Sequence, residues 1–221
     1  TDNFGEATVE YSIDGGANWT TGTSVEVSVN NTTVQFRATD AAGNVSAISE
    51  YTVSNIDKDV PVLGAISADV TDATNGNVIV SIADATDNFG GSVTIEYSKD
   101  GGETWDVYVS SGVTFETNGT VQFKATDAAG NESVSDVFEV NNIDKVAPNK
   151  PTASADIITA TDGDVTVSAT FSNDTVVKEY SLDNKTWQSY SVGIVMSANG
   201  MVYFRGKDAA GNYSEVTGYK V

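Results

Sequence analysis

Residues 92–105, SVTIEYSKDGGETW, contain the pattern that decides the fold. Apolar Val93, Ile95 and Tyr97 alternate with polar residues, which is typical of a strand with one face in a core and the other in water. The Asp-Gly-Gly sequence at 100–102 then provides residues that favour a hairpin turn. The stretch therefore predicts a β-strand that ends in a tight hairpin.

The same pattern occurs three times in the 221 residues, as YSIDGGANW at 11–19, YSKDGGETW at 97–105 and YSLDNKTW at 180–187. A second pattern repeats as VQFRATDAAGN at 34–44, VQFKATDAAGN at 121–131 and VYFRGKDAAGN at 202–212. A third, NIDK, stands at 55–58 and 142–145, and each copy is followed by a proline, Pro61 or Pro148. The period of about 81–87 residues suits a small β-sandwich repeated in tandem. Proline stops strands, so we place the boundaries at these linkers and predict modules at 1–57, 58–144 and 145–221.

The second module contains enough alternating runs and turn signals to predict its strands. Turn sequences such as Asn75-Gly76 and Asn118-Gly119 separate the runs. In chain order, the predicted strands are A 62–70, B 77–84, C 92–99, D 104–110, E 112–117, F 119–127 and G 134–141. The predicted fold class is all-β, with tandem immunoglobulin-like (Ig-like) sandwiches of about seven antiparallel strands each. Because the chain has no cysteine, these sandwiches contain no disulfide.

Composition narrows the possible functions. The chain has 31 acidic and 11 basic residues, a formal net charge of −20, so nucleic acid and anionic membranes are poor partners. It has neither histidine nor cysteine, which excludes Cys or His zinc sites, thiolate nucleophiles and imidazole bases. No apolar run approaches the ~18–20 residues that span a bilayer, so we predict no membrane insertion. We also predict no enzymatic activity and no catalytic residues, and any bound metal should be a hard cation such as Ca²⁺.

The three repeated patterns together resemble the bacterial Ig-like (Big) modules that occur in tandem in large surface and secreted adhesins. The resemblance covers nearly the whole chain, although the third module departs from it at Asn184-Lys185 and Gly206-Lys207. It implies an extracellular protein, at the bacterial surface or secreted, whose modules form a rigid stalk often stiffened by Ca²⁺. It also implies that the partners are neighbouring modules, with a host-surface or glycan receptor bound by other parts of the protein. High Asp, Asn, Thr and Gly content with few lysines independently favours an extracellular location.

Acidic residues cluster in the loops that an Ig-like fold brings to the module junctions. The B–C and F–G loops lie at the end where the chain enters a sandwich. Carboxylates that converge there would repel one another unless a cation lies between them. We therefore predict structural Ca²⁺ at the two junctions, and the predicted ligands are Asp57, Asp59, Asp84, Asp87 and Asp127 at the first, and Asp144, Asp174 and Asp208 at the second.

Several of these residues have a simpler interpretation that the sequence leaves open. Asp40, Asp127 and Asp208 each begin an Asp-Ala-Ala-Gly-Asn loop, where aspartate commonly bonds its own backbone and Gly-Asn supplies positive φ. The Asp-Gly-Gly segments are likewise favoured as hairpin turns rather than ligands. Each loop is therefore expected to be a stable turn, whether or not a metal binds beside it.

Two other functions compete with the stalk. Trp19, Trp105 and Trp187 follow the hairpins, and exposed tryptophans can stack on sugars, as in a glycan-binding accessory module of a secreted enzyme. The shared repeat position instead favours packing against the hairpin. A self-assembling filament or surface-layer subunit is the other alternative.

The first module is shorter than the others. Residues 1–5, TDNFG, align with residues 86–90, but the 27 residues from Asp59 to Ala85 that supply strands A and B have no counterpart in it. We therefore expect its inner face to stay exposed, unless further chain upstream or another chain supplies the two strands.

Overall fold

The computed structural model describes residues 5–221, and all regular secondary structure in that range is β-strand. The chain divides into two compact units, the first ending at Asp59 and the second spanning Val60–Val221. Within residues 5–221 there is no helix with the length and apolar character needed to cross a membrane.

The first unit contains one antiparallel sheet. Its strands are β1 (Thr8–Ser12), β2 (Thr20–Thr21), β3 (Thr33–Thr39) and β4 (Ser49–Thr52), in the order β2-β1-β3-β4. The alternating residues of β1 and β3 place Tyr11 opposite Phe36 across the ladder. Residues 24–28 continue the alternation but belong to no strand.

The second unit begins with a complete sandwich made of two sheets. The first sheet is β5-β6-β9 and the second is β11-β10-β7-β8, with β12 also paired to β10. The strands are β5 (Ile66–Ala68), β6 (Val78–Ile82), β7 (Thr94–Ser98), β8 (Asp106–Val107), β9 (Val113–Phe115), β10 (Gly119–Thr126), β11 (Glu132–Val134) and β12 (Phe138–Val140).

Each predicted strand of this module contains or overlaps an observed strand. The predicted strand G is two short strands, β11 and β12, separated by residues 135–137. The fourth strand, β8, pairs with β7 and so belongs to the sheet that contains strands C and F. Most of the observed strands are also shorter than the predicted ones.

The second sandwich of this unit repeats the arrangement. Its sheets are β13-β14-β17 and β16-β15-β18-β19. The strands are β13 (Thr152–Ala155), β14 (Val165–Thr170), β15 (Val177–Ser181), β16 (Gln188–Ser189), β17 (Ile194–Met196), β18 (Met201–Lys207) and β19 (Thr217–Lys220).

Each sandwich has its own apolar core. In the first, Val78 and Val80 of β6 pack with Phe123 of β10, and all three are fully buried. In the second, Val167 and Phe204 occupy the corresponding positions and are also fully buried. The predicted all-β, disulfide-free fold of tandem Ig-like sandwiches is therefore confirmed.

Candidate functional site

The Asp-Ala-Ala-Gly-Asn loops follow β3, β10 and β18 and are closed by their own hydrogen bonds. In the second loop, Asp127 Oδ1 accepts backbone N–H bonds from Ala129 (2.9 Å), Gly130 (2.7 Å) and Asn131 (2.9 Å). Its Oδ2 accepts a bond from Asn131 Nδ2 at 2.8 Å. Gly130 has a φ of 94°, which explains why glycine is needed one residue before the asparagine. The loops built on Asp40 and Asp208 have similar bonds.

These bonds favour the ionised carboxylate. The side chain and backbone N–H of Asn44 hold the pKa of Asp40 below its usual range. Burial alone would raise the pKa of Asp127, but the hydrogen bonds from Asn131, Gly130 and Ala129 outweigh it and lower the pKa. Asp208 behaves in the same way. The loops are therefore negatively charged and already well ordered at neutral pH.

The Asp-Gly-Gly hairpins form a second repeated hydrogen-bond unit around a buried serine. Ser12 is 2% exposed, donates to Asp14 Oδ1 (2.7 Å) and accepts from the backbone N–H of Gly16 (3.0 Å). Asp14 also accepts from the backbone N–H (3.0 Å) and side chain (2.7 Å) of Asn18, and these bonds lower its pKa to about 2. The equivalent serines of the other two modules are also buried and bonded to their aspartates. Sequence reasoning recognised the turn but missed this serine.

The three tryptophans lie beneath cationic side chains. Arg37 lies over the Trp19 ring at 4.1 Å and bonds Glu10 at 2.9 Å. Arg205 is placed in the same way between Trp187 and Glu179. In the second module, Lys124 occupies this position over Trp105. Each ring is half-buried and stacked on its own module, which supports the packing interpretation over a sugar-binding one.

Of the predicted metal ligands in the second unit, Asp87 and Asp127 come together. Each offers a carboxylate oxygen, and these oxygens lie within 4.8 Å of one another. Asp87 is half-buried, and its Oδ2 accepts the backbone N–H of Phe89 at 2.9 Å. Its Oδ1 is buried without a hydrogen-bond partner. A buried carboxylate oxygen with no donor, close to a second carboxylate, is the arrangement that a cation would stabilise.

Among the described residues, Asp84 forms no such group with these two, and Asp57 and Asp59 belong to the first unit. Asp84 is exposed in the loop after β6. Asp57 and Asp59 end the first unit, where the backbone N–H of Asp59 donates to Asp57 Oδ1 at 3.2 Å. Their role as metal ligands stays a prediction.

At the second junction, direct hydrogen bonds join the two sandwiches of the second unit. Asn212 Nδ2 donates to the carbonyl of Asp144 at 2.9 Å and contacts that of Val146 at 3.4 Å. The backbone N–H of Asn75 donates to the carbonyl of Ala210 at 3.0 Å. Asp144 Oδ1 accepts the N–H of Val146, while Asp174 is exposed. Among the described residues, Asp144, Asp174 and Asp208 do not form a group of three with ligand oxygens within 4.8 Å.

Hydrogen bonds also fix the linker to the preceding sandwich, a feature that sequence reasoning missed. Asn118 bonds both the N–H (2.8 Å) and the carbonyl (2.9 Å) of Ile143. The N–H of Asp144 donates to the carbonyl of Thr74 at 2.9 Å. In the first unit, Asn30 bonds Ile56 in the same way. The repeated asparagine before the strand-F pattern is the sequence signal that could have revealed this clamp.

The chain enters and leaves the first sandwich of the second unit at opposite ends. Near the entry, Val62 exchanges backbone bonds with Thr86 in the loop between β6 and β7. Ser133, which follows the Asp127 loop, donates to the carbonyl of Pro61 at 2.7 Å. The exit is tied to Thr74 and Asn118, in the loops between β5 and β6 and between β9 and β10. Because adjacent strands are antiparallel, these two pairs of loops lie at opposite ends of the sheets.

The topology defines the class as tandem Ig-like sandwiches. No family model matches the chain. Among solved structures, the FN1–FN3 domains of chicken CNTN1 cover 97% of this chain and 90% of their own, at 12% identity and a TM-score of 0.35. The fibronectin(III)-like modules of Clostridium thermocellum CbhA cover 71% and 92%, at 14% identity and a TM-score of 0.36.

Several curated proteins match a short segment of the chain. Fifty residues, 23% of this chain, are 48% identical to the PII-type proteinases of Lactococcus lactis subsp. cremoris and Lacticaseibacillus paracasei. The matched segment is only 3% of the length of those proteinases. It is therefore similar to a small part of much longer proteins.

Proposed function

We propose that the chain is a mechanical spacer, a stalk segment of a bacterial surface or secreted adhesin built from Big-type Ig-like modules. The observation that carries this proposal is that the first sandwich of the second unit is entered and left at opposite ends, with both linkers hydrogen-bonded to it. A pull on the two linkers therefore acts along the whole sandwich. The hydrogen bonds from Asn212 and Asn75 pass such a load on to the next sandwich.

Single-molecule stretching tests the spacer role. Stretching the whole chain between its ends should give two separate unfolding events, one for each complete sandwich. Each event should release on the order of 25 nm of chain, given ~3.4 Å for each extended residue. Gradual extension without separate events would contradict a load-bearing role.

We further propose that Ca²⁺ binds at Asp87 and Asp127. The support is the buried, partnerless Oδ1 of Asp87 and its closeness to Asp127. Asp127 Oδ2 accepts one hydrogen bond, so it retains a free lone pair for a metal. A hard, oxygen-binding cation fits this pair of ligands, and extracellular calcium modules typically bind at about 10⁻⁴–10⁻³ M.

Calorimetric titration of the metal-free chain with Ca²⁺ tests this site. Asp87→Asn should weaken binding at least tenfold, because it removes the charge that faces Asp127. Asp174→Asn is the matched control, since Asp174 holds the same repeat position in the third module but is exposed. Absence of binding at 10⁻² M Ca²⁺, or equal weakening by both variants, would refute the site.

The proposed location and partners follow from the spacer role. We propose that the chain is extracellular, that its direct partners are neighbouring modules, and that it has no catalytic activity of its own. The half-buried, cation-covered tryptophans give no support to the glycan-binding alternative. A glycan array probed with the whole chain should show no binding above background.

A further inference from the structure

The first unit has an open apolar face. Val25, Val27, Val34 and Phe36 line a groove of about 530 Å³ together with Tyr51 and neighbouring residues. Tyr51 is 61% exposed and Phe36 is half-buried, whereas Val34 is only 5% exposed. All of the lining residues belong to the first unit.

The corresponding face of the next module is covered. Phe123 stands at the repeat position of Phe36 and is fully buried, and Val140, the counterpart of Val53, is 3% exposed. The covering residues include Val78 and Val80, which belong to the sheet β5-β6-β9. The third module repeats this arrangement, with Phe204 buried against Val167. Two copies of the repeat thus show what covers this face.

The groove is also lined by an edge segment that pairs with no strand among the described residues of the first unit. Residues 24–28 align with β9 and β17, which pair with β6 and β14 in the complete modules. In the first unit these residues belong to no strand, while Val25 and Val27 point into the groove. Such an edge can accept backbone hydrogen bonds from an added strand.

We propose that this groove binds a β-hairpin of the type formed by β5 and β6, the A–B hairpin of a module of this repeat class. One strand would pair with residues 24–28 and place alternate valine or isoleucine side chains over Val34 and Phe36. The hairpin would thereby form a second sheet over the groove and bury Tyr51 and Phe36 more deeply.

A serine in the groove restricts which hairpins can bind there. Gly112 and Gly193 precede β9 and β17, and a Cβ on either would lie 2.5 Å from a methyl of Ile79 or Thr166 on the neighbouring strand. Ser24 occupies this repeat position in the first unit. A hairpin that binds well should therefore carry a small residue opposite Ser24. A hairpin with a larger residue there should bind more tightly once Ser24 is replaced by glycine.

The test measures binding of a labelled peptide of residues 59–85 to the whole chain by fluorescence anisotropy. Ser24→Gly should tighten binding of this peptide several-fold, because it removes the clash with Ile79. Val27→Asp should weaken binding at least tenfold by placing a charge in the groove. Val29→Asp is the matched control, since Val29 is 64% exposed and does not line the groove.

Three outcomes would overturn the proposal. The first is that the peptide does not bind although hydrogen exchange shows that the first unit is folded. The second is that Val27→Asp and Val29→Asp weaken binding equally. The third is that the chain dimerises with increasing concentration and that Val27→Asp abolishes the dimer. The last would assign the groove to a second copy of the chain. Peptide binding that depends on Val27 and Ser24 as described would establish it.

Discussion

The first unit and the sandwich that follows it contain nearly the same strand sequence in different surroundings. VQFRATDAAGN and VQFKATDAAGN form β3 and β10, and each pairs with a strand that carries the Tyr-Ser pattern. Phe36 is nevertheless half-buried where Phe123 is fully buried. Local sequence therefore sets strand pairing, whereas burial depends on whether a second sheet covers the first.

The largest expected difference between the two regions is in the effect of truncating this phenylalanine. Phe123→Ala should cost ~3–5 kcal/mol of unfolding free energy, because it leaves a cavity in a closed core. Phe36→Ala should cost only about 1 kcal/mol, since its site is already open to water and little apolar area is lost. Denaturant unfolding followed by residue-resolved hydrogen exchange measures both values.

The third module provides the control for this comparison. Phe204 is fully buried, so Phe204→Ala should match Phe123→Ala and should leave protection of residues 119–126 unchanged. A cost for Phe36→Ala as large as for the other two would mean that the face of the first unit is covered in solution.

A smaller loss of stability is expected when a methyl group is added at the position just before the fifth strand of a sandwich. Gly193→Ala should cost ~1–3 kcal/mol, because the new methyl would lie 2.5 Å from Thr166 Cγ2. Ser24→Ala at the same repeat position should be nearly neutral, since among the described residues of the first unit no strand pairs with residues 24–28. Thermal unfolding of the two variants compares them directly, and equal losses would contradict the difference in surroundings.

The junction within the second unit allows a similar comparison between two asparagines. Asn212→Ala loses the bonds to Asp208 and to the linker carbonyls of Asp144 and Val146. Asn44→Ala loses the bond to Asp40. We expect Asn212→Ala to destabilise its module by about 1 kcal/mol more than Asn44→Ala, the size of one net hydrogen bond. Scattering should also show a less rigid second unit; an unchanged profile would show that the junction does not depend on Asn212.

The repeats made the fold predictable because each strand carries a period of two and each turn has its own glycine or asparagine. The limits of prediction from the sequence appear at particular residues. The sheet to which β8 belongs was not predicted, because two residues of edge strand carry too little pattern to assign a partner. For the candidate site, the sequence predicted the closeness of Asp87 and Asp127, because Ig-like topology brings their loops together. It could not predict Asn212 as a junction contact, because that depends on how two sandwiches meet.

The smallest expected effect is a loss of stability in acid. Both regions should show it, because the hairpin aspartates lie in all three modules. Hydrogen bonds from Asn18 and Ser12 lower the pKa of Asp14 to about 2, and similar bonds lower the pKa of Asp100 and Asp183. An unfolded aspartate titrates near ~3.9, so this stabilisation is complete above about pH 4 and is lost as the pH falls towards 2. Asp14→Asn should therefore lower the melting temperature at pH 7 and reduce the further loss between pH 4 and pH 2 in the first unit alone. If the variant and the parent lose the same number of degrees over that range, the hydrogen bonds around Asp14 do not contribute to acid sensitivity.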